Sequence, residues 1–246
     1  MAKVAIVTGS SSGIGRSTAH LLAASGWQVL ALDLTDPSTP TPGVTHRRCD
    51  LADEGAIAAA AAAAVALGEV SALVHCAATQ TLGAAGEVAD ADWWRVLAVN
   101  LLAIERLVAG TLKPLRTNGG SVVVISSVHA VATTRSMAAY ATSKAALEGW
   151  VRAAALDLAP EVRVNAIRPG AVDTPMLREG FARRPEDGTV EQAFTKLATA
   201  IPLHTIIDPA DIARAVELLI DQERPLPMTG SVLTLDAGAL LGLSTE

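Results

Sequence analysis

The sequence predicts an α/β fold, with one doubly wound parallel sheet of about seven strands, helices on both faces, and a single domain over residues 1–246. Short segments rich in Val, Ile and Leu alternate with longer helical segments from end to end, as in successive βαβ units. The short segments are almost continuously apolar, which is typical of parallel strands covered on both faces. No linker rich in Pro, Gly or Ser divides the chain.

The alternation assigns strands and helices in order along the chain. Strands are expected at residues 3–8, 28–32, 44–49, 72–75, 121–126, 163–167 and 231–235. Helices are expected at residues 15–24, 54–67, 92–115, 140–158 and 209–221. The second of these helices is rich in Ala, and the acidic residues Asp53, Glu54 and Glu69 bracket its apolar run, residues 56–67, as in a water-soluble helix.

One long segment, residues 174–203, interrupts the alternation between the sixth strand and the last helix. Its composition is polar and mixed, and loops of this length are usually lids or binding loops. Ligands of doubly wound sheets bind at the carboxyl ends of the strands, where this segment begins. The segment is therefore predicted to be a substrate lid.

Composition narrows the functional classes. Hydrophobic residues make up 50% of the chain, charged residues 18% and aromatic residues 3%, so a packed core of small aliphatic side chains is expected. The net charge of −6, without a basic cluster, argues against a nucleic-acid partner.

Other features of the sequence bear on where the protein is located and on whether it binds a membrane or a metal. The longest apolar run, residues 56–67, is shorter than the ~20 residues that span a bilayer, and the N-terminus lacks the pattern of a signal peptide. Cys49 and Cys76 are expected to be buried free thiols, and no Cys/His cluster has metal-ligand spacing. We expect a cytoplasmic protein with no membrane partner and no metal.

The first strand leads directly into a glycine-rich turn, from Thr8-Gly9 to Gly13-Ile14-Gly15, and a helix follows. Glycines allow a tight turn and close approach to a pyrophosphate, which the helix N-terminus then attracts. A purely structural βα turn would contain the same glycines.

The second strand is followed by Asp33, eighteen residues after Gly15, where a carboxylate can bind a ribose 2′-hydroxyl and repel a 2′-phosphate. NAD is therefore favoured over NADP.

A second group of residues points to proton transfer. Tyr140, the only tyrosine, and Lys144 are four residues apart on a predicted helix, so they share a face. An ammonium group and an oxidised nicotinamide would both favour the phenolate of Tyr140. Ser127, with Ser126 as the competing candidate, leaves the end of a strand and could bind a substrate oxygen. An exposed Tyr–Lys pair on a helix would show the same spacing.

Taken together, Thr8-Gly9-x-x-x-Gly13-Ile14-Gly15, Asn100, Ser127, Tyr140-x-x-x-Lys144 and Pro169-Gly170 resemble the classical short-chain dehydrogenase/reductase family, which has a Rossmann-like sheet. The resemblance implies that Tyr140 is the acid/base, Lys144 lowers its pKa and holds the nicotinamide ribose, Ser127 positions the substrate oxygen, and Asn100 holds a water of a proton relay. It also implies a homotetramer. The cofactor contacts that it implies, besides Tyr140 and Lys144, are Gly9, Ser12, Gly13, Ile14, Gly15, Asp33, Asp50, Leu51, Ala77, Pro169, Gly170, Val172 and Thr174.

Two segments depart from the family pattern. His75-Cys76-Ala77-Ala78 stands where the family usually has Asn-Asn-Ala-Gly, and Asp236-Ala237-Gly238 stands for Asp-Gly-Gly. Ala77 keeps the small residue that close backbone approach requires. Neither change removes a proton-transfer group.

Two features bear on the substrate, and they conflict. His129, two residues after Ser127, could bind a substrate hydroxyl, and the Ser-Val-His triplet resembles sugar and polyol members of the family; a structural loop histidine is the alternative. The lid residues Met176, Leu177 and Phe181 are apolar and suit an aliphatic or ring substrate.

The leading functional hypothesis is an NAD-dependent oxidoreductase that interconverts a secondary alcohol and its ketone. One alternative is an NADPH-dependent 3-oxoacyl reductase of the fatty-acid type, against which Asp33 and the absence of a basic patch argue. Another is a non-catalytic NAD-binding sensor or scaffold, which would have no need for the complete catalytic set. A sugar-nucleotide epimerase is disfavoured by the length of the chain.

Overall fold

A computed structural model describes residues 2–36, 40–183 and 188–241. The strands within these ranges are β1 (Lys3–Thr8), β2 (Gln28–Asp33), β3 (Val44–Arg48), β4 (Glu69–His75), β5 (Ser121–Ile125), β6 (Arg163–Pro169) and β7 (Val232–Leu235). They form one parallel sheet in the order β3-β2-β1-β4-β5-β6-β7. The predicted doubly wound sheet is confirmed.

Helices cover both faces of this sheet. In the described ranges they are α1 (Gly13–Ala24), α2 (Glu54–Leu67), α3 (Asp90–Leu97), α4 (Ala103–Thr117), α5 (Ala138–Leu158), α6 (Pro175–Ala182), α7 (Val190–Ala200) and α8 (Pro209–Ile220). The side chains of β1 point alternately to the two faces of the sheet and pack against different helices. Val4 and Ile6 pack with α2, α4 and α5, while Ala5 and Val7 pack with α1 and α8.

The helix expected over residues 92–115 is wrong in its bounds and its regularity. It begins at Asp90, ends at Thr117 and contains a π-helical turn, Ala98–Leu102, between α3 and α4. This turn places Asn100 in the interior, and π-helical turns are frequent at functional sites. β4 also begins three residues earlier than expected, at Glu69, because Glu69 and Val70 pair with the start of β1.

The segment expected to form the lid contains two helices, α6 and α7. The Thr174 side chain caps α6 by accepting a hydrogen bond from the Leu177 N–H. A reciprocal capping box between Thr189 and Gln192 begins α7. Part of the segment, residues 184–187, lies outside the described ranges.

None of the helices described here is both long enough and apolar enough to cross a membrane.

Candidate active site

A cavity of about 1040 Å³ opens at the carboxyl ends of the strands, under α6 and α7. This is the edge where doubly wound sheets bind ligands. Almost every predicted site residue lines it: Gly9, Ser12, Gly13, Ile14, Gly15, Asp33, Asp50, Leu51, Ala77, Ser127, His129, Tyr140, Lys144, Pro169, Gly170, Val172, Thr174, Met176, Leu177 and Phe181. Asn100 is the exception.

The glycine-rich turn between β1 and α1 fits tightly against its neighbours. Gly9 has a φ of 66°, and a Cβ there would lie 2.8 Å from the backbone of Ala77. A Cβ on Gly15 would lie 2.1 Å from the Gly9 carbonyl oxygen, so no other residue fits there without moving the backbone. Ser12 begins α1 without a side-chain cap, which leaves the first N–H groups facing the cavity. These features fit a bound pyrophosphate.

Asp33 is held in place at the end of β2. One carboxylate oxygen accepts a hydrogen bond from the Ser11 N–H at 2.9 Å, and the other accepts one from the Thr35 N–H at 3.2 Å. The carboxylate lies on the cavity wall beside the glycine-rich turn. A negative acceptor group there fits a ribose diol and opposes a phosphate.

Sequence reasoning missed one charged residue at this end of the cavity. Arg95 of α3 lines the cavity, and its guanidinium lies 2.9 Å from the carboxylate of Asp50. The hydrogen bond from Arg95 holds the pKa of Asp50 below its ordinary value. The partners are 45 residues apart, so sequence spacing does not connect them.

Tyr140 and Lys144 lie on the buried face of α5, at 8% and 2% exposure. The Ser127 hydroxyl accepts a hydrogen bond from the His129 N–H at 3.2 Å and acts on the Tyr140 phenol, whose pKa it lowers. The Lys144 ammonium donates to the Ile125 carbonyl at 2.7 Å and lies 5.6 Å from the centre of the Tyr140 ring. Ser126 instead donates to Glu148 at 2.7 Å, so the structure favours Ser127 over Ser126 as the substrate-facing serine.

Burial controls the ionisation of both groups. It raises the pKa of Tyr140 to about 12, although Ser127 acts in the opposite direction. It lowers the pKa of Lys144 to about 8. The lowered phenol pKa that the sequence predicts is therefore not a property of the protein alone. The fixed positive charge of an oxidised nicotinamide would be needed to offset the burial.

Asn100 lies behind the cavity, and protein partners satisfy its side chain. Its amide nitrogen donates to the Thr79 carbonyl at 3.0 Å and to the Ser143 hydroxyl at 2.9 Å. Its amide oxygen accepts from the Thr79 N–H at 2.8 Å. The side chain thereby joins the segment after β4 to α5. Its predicted role in a water relay remains a prediction.

His75, which departs from the family pattern, is fully buried and bridges three elements. One ring nitrogen contacts the Thr8 hydroxyl at 2.9 Å, and the other contacts the Val99 carbonyl at 3.1 Å. Burial lowers its pKa to about 3, so the imidazole is neutral. Both contacts are satisfied when Nδ1 of the neutral imidazole accepts a hydrogen bond from the Thr8 hydroxyl and Nε2–H donates one to the Val99 carbonyl. His75 therefore connects β1 to the π-helical turn.

The substrate end of the cavity has a polar wall and an apolar wall. The His129 ring meets the edge of Tyr140 with centroids 5.7 Å apart, and its Nδ1 lies 2.8 Å from the Thr133 hydroxyl. The predicted lid residues Met176, Leu177 and Phe181 form the opposite wall. Sequence reasoning missed further residues of this end: Gln80, Leu82, Thr134, Met137, Leu197, Ile201 and Leu240.

Comparison with known proteins agrees with this geometry. A family model described as "Enoyl-(Acyl carrier protein) reductase" matches residues 9–239. The short-chain reductase protein NovJ of Streptomyces niveus is 34% identical, over 96% of this chain and 93% of the relative. The chain belongs to the short-chain dehydrogenase/reductase family. Another member, a 3-alpha-(or 20-beta)-hydroxysteroid dehydrogenase of Mycobacterium bovis, is 30% identical over 98% of this chain and 91% of the relative.

Solved structures of this family superpose closely on the chain. The ligand-free aldohexose dehydrogenase (AldT) of Thermoplasma acidophilum has a TM-score of 0.94 and 30% identity, over 100% of this chain and 96% of the other. Actinorhodin polyketide ketoreductase with NADPH has a TM-score of 0.90 and 29% identity, over 97% of both chains. The chain is thus an oxidoreductase of the short-chain dehydrogenase/reductase family, whose members bind NAD(P)H.

Among the residues that the structure describes, no group of three or more His, Cys, Asp or Glu side chains could hold a metal ion.

Proposed function

We propose that this protein uses NAD to interconvert a secondary alcohol and its ketone. One observation carries the proposal: a single cavity has the glycine-rich turn and Asp33 at one end, and Ser127, Tyr140 and Lys144 at the other. The first group suits an adenosine diphosphate, and the second suits proton transfer at a carbinol oxygen.

The side chains divide the work of the reaction. When bound, the nicotinamide cofactor supplies the group that accepts or returns a hydride. In alcohol oxidation the Tyr140 phenolate receives the hydroxyl proton, and in ketone reduction the Tyr140 phenol returns it. Ser127, which lines the same cavity as Tyr140, holds the substrate oxygen beside the phenol. The Lys144 ammonium lies behind the ring, where its charge favours the phenolate.

The alternatives account less well for the same residues. A non-catalytic sensor would not need a buried Tyr140 in the same cavity as Ser127 and Lys144. A 3-oxoacyl or enoyl reductase that takes acyl groups from an acidic carrier protein would benefit from a basic surface, but the chain carries a net charge of −6.

The proposed function is tested by measuring reduced-nicotinamide absorbance with NAD and with NADP across secondary alcohols, sugars, polyols and 3-hydroxyacyl thioesters. Turnover restricted to acyl thioesters would reject the proposal.

The preference for NAD rests on Asp33. Asp33→Asn keeps the size of the side chain but removes the charge that opposes a 2′-phosphate, so the NAD:NADP ratio of kcat/KM should fall ~10-fold or more. The measurement is steady-state kinetics with each cofactor. Asp36→Asn, three residues along on an exposed position, is the matched control and should leave the ratio unchanged. An unchanged ratio in Asp33→Asn would show that another group selects the cofactor.

For the substrate we propose a ring alcohol that carries a further hydroxyl group. The apolar wall of Met176, Leu177 and Phe181 suits the carbon face of a ring, and His129 with Thr133 suits a hydroxyl beside the reacting carbon. The family resemblance to an aldohexose dehydrogenase and a hydroxysteroid dehydrogenase supports ring substrates.

His129→Ala tests this choice of substrate. It removes one hydrogen bond worth ~1 kcal/mol, so kcat/KM should fall about 5- to 10-fold for hydroxylated ring alcohols. An unsubstituted cyclic alcohol serves as the internal control and should lose much less. Equal losses for both substrates would mean that His129 only packs against Tyr140.

A further inference from the structure

Glu148 of α5 is a buried carboxylate that the proposed reaction does not use. It is 4% exposed, and its Oε1 accepts hydrogen bonds from the Ser126 hydroxyl at 2.7 Å and from the Arg168 Nε at 2.9 Å. Its Oε2 accepts a second hydrogen bond from Arg168, at 2.7 Å. The Arg168 pair is therefore bidentate, which fixes the orientation of both side chains.

These partners precede site residues along the chain. Ser126 is followed directly by Ser127, and Arg168 by Pro169 and Gly170, which line the cavity. Glu148 thus joins the ends of β5 and β6 to α5, the helix that carries the proposed acid/base. Among the described residues, no other carboxylate accepts hydrogen bonds from both of these strand ends.

Glu148 also completes a regular arrangement on α5. Residues 140, 144 and 148 are four apart, so they lie on one face of the helix. Each meets one of three consecutive residues at the end of β5. The pairs are Tyr140 with Ser127, Lys144 with Ile125, and Glu148 with Ser126. A shift of α5 along β5 would therefore break all three contacts together.

The charge of Glu148 is maintained despite its burial. Burial favours the neutral acid, but the hydrogen bonds from Arg168 and Ser126 bring the pKa of Glu148 below its ordinary value. Arg168 in turn has a raised pKa because of Glu148. A paired, hydrogen-bonded charge of this kind is costly to break by removing one partner.

We propose that Glu148 is a positioning residue which, through Ser126 and Arg168, fixes Ser127 and the Pro169-Gly170 segment relative to Tyr140. This inference rests on the proposed function of the same site. Glu148 touches neither the substrate nor the reacting atoms. Its effect on turnover comes from the alignment of the groups that do, where a displacement of ~1 Å costs up to ~100-fold in rate.

The first test is Glu148→Gln, which keeps the shape of the side chain but removes its charge. We expect kcat for alcohol oxidation to fall about 10- to 100-fold with a smaller change in KM. Ser126→Ala removes only one contact and should act in the same direction with a smaller effect. Glu54→Gln, which removes the surface pair of Glu54 and Arg106, is the matched control and should keep wild-type kinetics.

The pH profile separates positioning from a loss of folded protein. Ser127 lowers the pKa of Tyr140, so its displacement should move the pH midpoint of alcohol oxidation upward in Glu148→Gln. A smaller folded fraction would reduce the amplitude of the profile and leave its midpoint unchanged.

A double variant keeps the test decisive if Glu148→Gln does not fold. Glu148→Met/Arg168→Met replaces the buried ion pair with apolar side chains, a change that is often neutral for stability. We expect a thermal unfolding midpoint close to wild type, with turnover still lowered. Wild-type kcat in a folded double variant, or in Glu148→Gln with an unchanged pH midpoint, would overturn the inference. An inactive wild-type protein would instead count against the proposed function.

Discussion

Tyr140→Phe should reduce turnover by about 10³-fold while NAD binding remains close to wild type. The variant removes only the phenolic oxygen, so the ring keeps its packing against His129 and beside Lys144. Ser127 remains, but it cannot replace the proton acceptor. The measurements are kcat by reduced-nicotinamide absorbance and the NAD dissociation constant by calorimetry. Retention of more than about a tenth of the wild-type rate would refute the proton-transfer role.

Because Tyr140 is the only tyrosine, its ionisation can be followed directly. In the protein alone, burial raises the pKa of Tyr140 to about 12, so ultraviolet difference absorbance should show a phenolate only at strongly alkaline pH. Oxidised NAD brings a positive charge and should move this transition to lower pH. Tyr140→Phe, which has no tyrosine signal, is the spectroscopic control. If NAD does not change the pH at which the Tyr140 phenolate forms, the charge of the cofactor does not favour ionisation of the phenol.

The parts of the fold and site that could be predicted depend on short stretches of sequence. The run from β1 through Gly9 and Gly15 into α1 follows from hydrophobic pattern and turn chemistry within about a dozen residues. Tyr140 and Lys144 share a helix face by their spacing alone. The doubly wound parallel sheet follows from the βαβ alternation, and the structure confirms that sheet.

The parts that could not be predicted depend on contacts between distant segments. Glu148 meets Ser126 and Arg168 only because β5, β6 and α5 pack together, and no local pattern in the sequence marks that pairing. The π-helical turn at Asn100 could not be predicted for the same reason, because Asn100 hydrogen-bonds to Thr79 and Ser143, which are distant in the sequence. The raised pKa of Tyr140 could not be predicted because spacing shows which charges are near but not how far the phenol is removed from water.

Lys144→Met should abolish efficient turnover and, at neutral pH, stabilise the fold. Methionine fills similar space without the charge, so the phenolate of Tyr140 loses its neighbouring ammonium, and we expect kcat/KM to fall by 10³-fold or more. Lys113→Met, on the exposed side of α4, is the matched control and should change neither property. Kinetics and chemical denaturation of the three proteins measure both effects.

The predicted gain in stability follows from the burial of Lys144. Burial lowers the pKa of Lys144 from 10.5 to about 8. Below that pH the side chain is charged in the folded protein, and this buried charge destabilises the fold by ~3 kcal/mol. The unpaired Ile125 carbonyl in the variant offsets this by ~1 kcal/mol, leaving a net gain of ~2 kcal/mol at pH ~7. Above the unfolded-state pKa, Lys144 is neutral in both states, so the gain should shrink as the pH rises through this window. If Lys144→Met and the wild type are equally stable both at pH ~7 and above the unfolded-state pKa, the ammonium is solvated in the folded protein. The same result would weaken the influence on Tyr140 that we assign to it.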